Sequence, residues 1–241
     1  MTNKTVLITG GANGIGEALA VMLNKQDYHV IIIDKDLVKL NRIKQLYPNI
    51  EVHVCDINDF DSLIITTNNI LSTNHHINYL INNAGIQYVE SLEALDFDHW
   101  DQVFNVNLKA PAYLMKHISK QMKENDQILN ISSVHGAYPR INKYAYDASK
   151  AGLNLLTKES ALALGERGIR VNAIMLGATK TPMNDMFSNK AVLNKTVEKI
   201  PLKRVALTED ITKFVNYLFN EDTYSTGAIF TIDGGRSVFT I

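Results

Sequence analysis

The chain has 241 residues, 46% of them hydrophobic, a formal net charge of −1 and one cysteine, Cys55. That is material for one large α/β domain with a full core, and the near-neutral charge speaks against a nucleic acid or an anionic membrane surface as partner. A lone cysteine excludes an intrachain disulfide, no segment nears the roughly 18 apolar residues of a membrane span, and the N-terminus runs almost straight into a strand with no room for a signal peptide, so the expected site is the cytosol.

Taken in chain order, residues 5–9 form a short β-branched apolar run that reads as a buried strand. Gly10, Gly11, Gly14 and Gly16 follow, and Ile15, Ala18, Leu19, Met22 and Leu23 recur at helical spacing across 15–26. A glycine loop joining a strand to a helix is the setting in which a dinucleotide pyrophosphate binds. Glycines let the backbone come close, and the helix offers unpaired N–H groups and a partial positive end. The spacing departs from G-x-G-x-x-G, with glycines at 10, 14 and 16 and Gly11 as an extra. The second strand, 30–34, ends in Asp34, eighteen residues after Gly16. A carboxylate there accepts hydrogen bonds from both adenosine ribose hydroxyls and repels a 2′-phosphate. NAD is therefore expected, with NADP the lesser alternative, argued for nearby only by Lys35.

Strand-like runs continue at 51–55, 79–82, 127–132, 170–175 and 228–232, and helical patterns lie near 37–46, 59–72, 98–123, 146–166 and 208–219. Asp36, Asn58 and Thr208 are the expected N-caps. This alternation predicts right-handed crossovers and a doubly wound, seven-stranded parallel sheet in a single Rossmann-type domain over 1–241. One stretch breaks the rhythm. After Leu176 no strand is expected until past Thr208, and Met183, Met186, Phe187, Val192 and Leu193 are strewn among polar residues. An excursion from a strand's carboxyl end is placed to close over a ligand, so 178–207 reads as a lid.

Within 146–166, Tyr146 precedes Lys150 by four residues, which puts phenol and ammonium on one helical face. An ammonium held beside a tyrosine favours the phenolate, by roughly 1–3 pKa units for an opposite charge at close range. Such a tyrosine exchanges protons nearer neutrality and suits a hydroxyl–carbonyl interconversion.

With both features read, the chain resembles the short-chain dehydrogenase/reductase family, in its single-domain branch, over essentially its whole length. Thr9-Gly10-Gly11-Ala12-Asn13-Gly14-Ile15-Gly16 matches the family's glycine loop, and Asn82-Asn83-Ala84-Gly85 its signature after the fourth strand. Asn107 falls on the family's catalytic asparagine and Ser133 on its catalytic serine, thirteen residues before Tyr146; Tyr146 and Lys150 complete a tetrad. Val171-Asn172-Ala173-Ile174, Thr226-Gly227 and Asp233-Gly234-Gly235 match the closing strands.

The resemblance implies an oxidoreductase that interconverts a secondary alcohol and a carbonyl by hydride transfer. Tyr146 is then the general acid/base and Ser133 the donor to the carbonyl oxygen. Lys150 lowers the tyrosine's pKa and holds the nicotinamide ribose, and Asn107 holds a water that reconnects Lys150 to solvent. Cofactor contacts are implied at Gly10, Asn13, Gly14, Ile15, Gly16, Asp34, Asp56, Ile57, Asn83, Ala84, Gly85, Thr179 and Thr181, besides Tyr146 and Lys150. The family's Pro-Gly after the sixth strand is here Leu176-Gly177, a change expected to loosen the lid hinge or widen the pocket. In relatives the helices matching 98–123 and 146–166 form a dimer surface, usually doubled to a tetramer, so a homo-oligomer is implied. From the sequence alone, Ala148, Ala151, Gly152, Leu155 and Leu156 could equally be buried against the sheet.

Other residues read as bystanders. Tyr144 lies off the face of Lys150, and Ser132 alternates to the opposite side of the strand from Ser133. His135 reads as an ordinary loop histidine. His75 and His76 sit in a polar turn, and with no cysteine or carboxylate cluster at ligand spacing no metal site is expected. Two alternatives compete. A 3-oxoacyl carrier-protein reductase using NADP would show a basic residue near Asn13 or in place of Asp34, and a basic patch at the mouth; none stands out. A non-catalytic dinucleotide-sensing protein has no need of all four tetrad residues.

Overall fold

The computed structural model describes residues 4–73 and 76–239; His75 lies outside them. The elements run β1 (Thr5–Thr9), α1 (Gly14–Asn24), β2 (His29–Asp34), α2 (Leu37–Leu46), β3 (Glu51–Val54), α3 (Phe60–Ser72), β4 (Ile77–Asn82), α4 (Phe97–Phe104), α5 (Ala110–Ile118), β5 (Gln127–Ser133), α6 (Tyr144–Gly165), β6 (Arg170–Leu176), α7 (Lys190–Glu198), α8 (Thr208–Asn220), β7 (Ile229–Ile232) and α9 (Arg236–Phe239).

The strands pair in parallel in the order β3-β2-β1-β4-β5-β6-β7. Side chains alternate across a strand, and the two faces are sorted accordingly. Val6, Ile8, Val30 and Ile32 pack with Leu19 and Leu23 of α1 and with Ile211 and Val215 of α8. Leu7, Ile31 and Ile33 pack with Leu63 and Ile70 of α3 and with Leu114 and Ile118 of α5. The expected parallel sheet with helices on both faces is present. Chain order reverses direction at β1/β4, and a crevice opens there beyond the carboxyl ends of the strands.

Several boundaries differ from expectation for identifiable reasons. Asp36 caps α2, accepting from Lys39 N, but the cap of α3 is Asp59 rather than Asn58. At α8 the Asp210 carboxylate accepts from Leu207 N, which makes Thr208 the first helical residue instead of the cap. The single helix expected over 98–123 is two, α4 and α5, joined by a π-type turn at Asn105–Lys109. Pro111 has no N–H for the carbonyl four residues back, so an unbroken α-helix loses a rung there. The strand β6 runs on through Leu176, paired with Ser133 and Ile232. Leu176 is buried in the core, and the next N–H, Gly177, donates to Ile232 O at 2.9 Å. The Leu-for-Pro exchange thus lengthens a strand ladder at the point where a loosened hinge is expected.

Ile32 is fully buried between β1 and β3 and against the glycine loop. Ile32→Ala is expected to destabilise the fold by about 2–5 kcal/mol, seen as a lower urea midpoint at unchanged slope; a shift within error would show that this layer is not close-packed.

Candidate active site

The glycine loop is stitched to the segment after β4. Thr9 Oγ1 accepts from Asn83 N and Ala84 N, both at 3.1 Å, and Asn83 Nδ2 donates to Thr9 O at 3.0 Å and Gly10 O at 2.9 Å. Gly10 has φ +63°, and a Cβ on Gly16 would stand 2.2 Å from Gly10 O, so neither position takes a side chain. Asn13 caps α1 through Gly14 N at 2.9 Å. At the tip of β2, Asp34 Oδ2 accepts from Ala12 N and Oδ1 from Asp36 N, each at 3.0 Å. The carboxylate therefore holds the loop as well as facing the crevice.

The crevice is a cavity of about 370 Å³. Asp34, Asp56 and Ile57 line one end, and Gly10, Asn13, Gly14, Ile15, Asn83, Ala84 and Gly85 line its middle. Ser133, Tyr146 and Lys150 line the cavity as well, as do Thr179 and Thr181, the latter beside Gly14 of the loop. Of the residues expected at the site, Gly16 and Asn107 do not line it. Gly16 is behind the loop, and Asn107 is fully buried in the π-type turn.

Asn107 acts through its amide. Its Oδ1 accepts from Ile86 N at 2.9 Å, while Nδ2 donates to Ile86 O and Ser149 Oγ, each at 3.0 Å. The side chain is committed to clamping the segment after Gly85. Lys150 is buried, and its Nζ donates to Ile131 O at 2.8 Å. Burial pushes its pKa down to about 8. Ser133 Oγ accepts from His135 N at 3.1 Å and hydrogen-bonds the Tyr146 phenol.

The expected acidification of Tyr146 does not hold here. Burial raises the phenol's pKa above its ordinary value, the Ser133 hydrogen bond opposes the rise, and Asp147 adds to it. Tyr146 and Lys150 do share a face of α6, but Nζ lies 5.9 Å from the ring centroid and is directed to a carbonyl. Desolvation outweighs a charge at that range.

Three other findings differ from the sequence reading. His135, expected as an ordinary loop residue, lines the cavity with its ring 6.5 Å from that of Tyr146; burial pushes its pKa down to about 4. Ser132 also borders the cavity, and its buried hydroxyl has no hydrogen-bond partner among the described residues. The mouth does carry basic residues: Arg140, Lys143 and Arg236 line the same end as Tyr146. Lys143 stands one turn before Tyr146, a signal present in the sequence; Arg140 and Arg236 are nearly a hundred residues apart, and only folding joins them. Tyr144 is half-exposed at the start of α6, and His76 pairs with Asp126 at 2.8 Å.

A parallel sheet with a ligand crevice at its switch point defines a Rossmann-type dinucleotide-binding architecture. A family model described as enoyl-(acyl carrier protein) reductase matches residues 10–237. The chain is 33% identical over 242 residues to a 3-oxoacyl-(acyl-carrier-protein) reductase of Thermotoga maritima, covering 98% of each. It is 29% identical over 254 residues to glucose 1-dehydrogenase 2 of Bacillus subtilis, covering 99% of this chain and 96% of that one. Among solved structures, 4-hydroxyisoleucine dehydrogenase complexed with NADH superposes with a TM-score of 0.93 at 30% identity, over 98% of this chain and 99% of that one. ElxO with NADP bound gives 0.87 at 30% identity, over 98% and 100%. The chain belongs to the short-chain dehydrogenase/reductase family, a family of oxidoreductases that use nicotinamide cofactors. Among the described residues no helix is long and apolar enough to cross a membrane.

The buried Lys150 ammonium has a consequence for stability. Its pKa is about 8 folded and 10.5 unfolded, so between those values the unfolded chain binds more protons and folding stability rises with pH. Below the folded value the penalty on the charged form is fully present. Lys150→Met is expected to be more stable than the parent at about pH 7, with the gap shrinking toward about pH 10. Urea midpoints at the two pH values check this; a gap independent of pH would mean that Lys150 is not the titrating group.

Proposed function

We propose that the protein is an NAD-dependent oxidoreductase that interconverts a secondary alcohol and a carbonyl, with Tyr146 as general acid/base. The observation that carries the reading is the Ser133–Tyr146 hydroxyl pair at the end of the cavity, with Lys150 on the same helical face beneath it.

The cavity's residues fit a dinucleotide. The glycine loop at the N-terminus of α1 and the segment Asn83–Gly85 form a cradle with no side chain at Gly10 or Gly16, suited to a pyrophosphate. Asp34 and Asp56 stand where an adenosine would lie, and Lys150, Thr179 and Thr181 at the nicotinamide end. When bound, the nicotinamide exchanges a hydride with the reacting carbon. In the reduction direction Tyr146 gives its phenolic proton to the carbonyl oxygen. Ser133 donates to the same oxygen, and a preorganised donor of this kind is worth about 3–4 kcal/mol in the transition state. The Lys150 ammonium favours the phenolate left behind and releases a proton readily because burial lowers its pKa. Asn107 is a positioning residue that ties the segment after Gly85 to Ser149 of α6. In oxidation the same groups act in reverse.

Asp34 supports NAD over NADP. Each of its oxygens has one hydrogen bond to the protein and retains lone-pair capacity for a ribose hydroxyl. The nearby cations are engaged, Lys35 with Asp56 at 3.6 Å and Lys39 with Asp36 at 2.7 Å. The segment 178–207 serves as a lid: Thr181, Met183, Asn184 and Phe187 face the cavity, and a bridge between Thr179 and Ala206 ties its ends. Ala148, Ala151 and Leu155 of α6 are exposed on the chain by itself, which supports a homo-oligomer that covers them. A 3-oxoacyl carrier-protein reductase using NADP is the second reading, favoured by the Thermotoga maritima relative.

Tyr146→Phe is expected to cut turnover by about 10²–10⁴-fold or more while NAD affinity stays within about twofold; retained turnover in a spectrophotometric assay of secondary alcohols would remove Tyr146 from this role. Asp34→Ala is expected to move the NAD/NADP ratio of kcat/KM toward NADP by about tenfold or more, one charged contact's worth. An unchanged ratio would refute the assignment of that carboxylate.

A further inference from the structure

The wall of the cavity around Tyr146 holds more positive charge than the proposed proton transfer uses. Lys143 is only 5% exposed, and its Nζ lies 5.4 Å from the Tyr146 ring centroid. Among the described residues its Nζ donates to the Gln87 side-chain oxygen, a neutral acceptor. No ion pair joins Lys143 or Arg140 to a carboxylate among the described residues. Asp147 is the acid that faces them, and its Oδ2 accepts from Arg140 N at 2.6 Å. Arg236 reaches the same wall from α9, where Arg140 repels it and Asp233 attracts it.

The setting makes this unfavourable for the chain alone. A buried ammonium is costly when the carboxylate facing it, here Asp147, forms no ion pair with it. Lys143 occupies the N-cap position of α6, a helix of 22 residues, and makes no capping hydrogen bond. Helix N-termini favour anions and disfavour cations. Three cations beside that N-terminus, around a cavity, form a seat for a negative group that arrives with a ligand.

We infer that the substrate is a short hydroxy or oxo carboxylic acid, its carboxylate a few bonds from the reacting carbon and seated on Lys143 and Gln87, with Arg140 and Arg236 on the rim. This rests on the oxidoreductase reading above and specifies the substrate class for that site. The closeness of Lys143 to the Tyr146 ring sets the length: carboxylate and carbonyl belong to one small molecule. An acyl thioester is uncharged at that distance from its carbonyl. In oxidation the carbinol C–H bond breaks with hydride passing to the oxidised nicotinamide, the O–H proton goes to the Tyr146 phenolate, and the C=O bond forms; the carboxylate is unchanged.

The test uses the full chain with saturating NAD. Calorimetry compares malonate, malonamide and inorganic phosphate; kinetics compare 2-, 3- and 4-hydroxybutyrate with their methyl esters and with 2-butanol. Malonate is expected to bind about tenfold or more tightly than malonamide or phosphate, and at least one acid to exceed its ester by about tenfold in kcat/KM, one charged contact's worth. In Lys143→Met both preferences should fall to about one, chiefly through KM, with partial recovery in Lys143→Arg; Gln87→Leu and Arg140→Ala carry the test if Lys143→Met does not fold. Equal binding of malonate and malonamide, tighter binding of phosphate, or a parallel loss for acid and ester in Lys143→Met would overturn the assignment. Turnover of 2-butanol without any acid preference sinks the substrate class and keeps the oxidoreductase. A protein that binds NAD and malonate but oxidises nothing, with NAD or NADP, sinks the oxidoreductase reading and the substrate assignment with it.

Discussion

One buried ammonium organises the centre of this molecule. Lys150 is 4% exposed and has no carboxylate partner among the described residues; it rests on the main-chain oxygen of Ile131 in β5. That bond is one of three polar pins on the buried face of α6. The second runs from Asn107 to Ser149, and the third from Asn130 to Thr157. An apolar helix face tolerates small rotations, whereas buried donors and acceptors do not, because each lost partner leaves a desolvated polar group. The pins fix the rotation of α6 against β5, and that rotation sets Tyr146 over Ser133. The helix is costly to dock and well defined once docked.

The same burial shapes the acid–base chemistry. It lowers the lysine's pKa and raises the tyrosine's, since in each case it disfavours the charged form. Their ordinary values lie close together, and burial drives them apart, the phenol up and the ammonium down to about 8. The charge that acts on the phenol in the protein is Asp147, which raises its pKa further. A carboxylate seated on the wall of Lys143, Arg140 and Arg236 would add to that rise, so substrate charge and tyrosine acidity would be coupled through a few ångströms of low-dielectric space.

At the opposite end, Asp34 does two jobs. It receives the N–H of Ala12 and so shapes the glycine loop, and it faces the cavity where an adenosine ribose would lie. Loop geometry and cofactor choice are therefore not independent. Among the similar solved structures one carries NADH and another NADP, so the shared fold does not by itself select the cofactor.

The alternation of apolar runs, the glycine loop and the Tyr146–Lys150 spacing are local features, and the sequence by itself determined the parallel-sheet fold class and the family. Periodicity of side chains reads out which face is buried, and turn chemistry reads out where strands end. Cap positions slipped by one residue, to Asp59 and Leu207, because the Asp59 carboxylate takes the first N–H groups of α3 and the Asp210 carboxylate takes the N–H of Leu207. Only the tertiary structure decided the rest. It interrupted the long helix with the π-type turn at Asn105–Lys109, extended β6 through Leu176, turned the Asn107 amide onto Ile86, and brought Arg236 to Arg140 across nearly a hundred residues. It also reversed the expected direction of the Tyr146 shift. Spacing along a helix states that two groups can meet, but their pKa values depend on how much water the surrounding layers remove, and that is a property of the packed molecule.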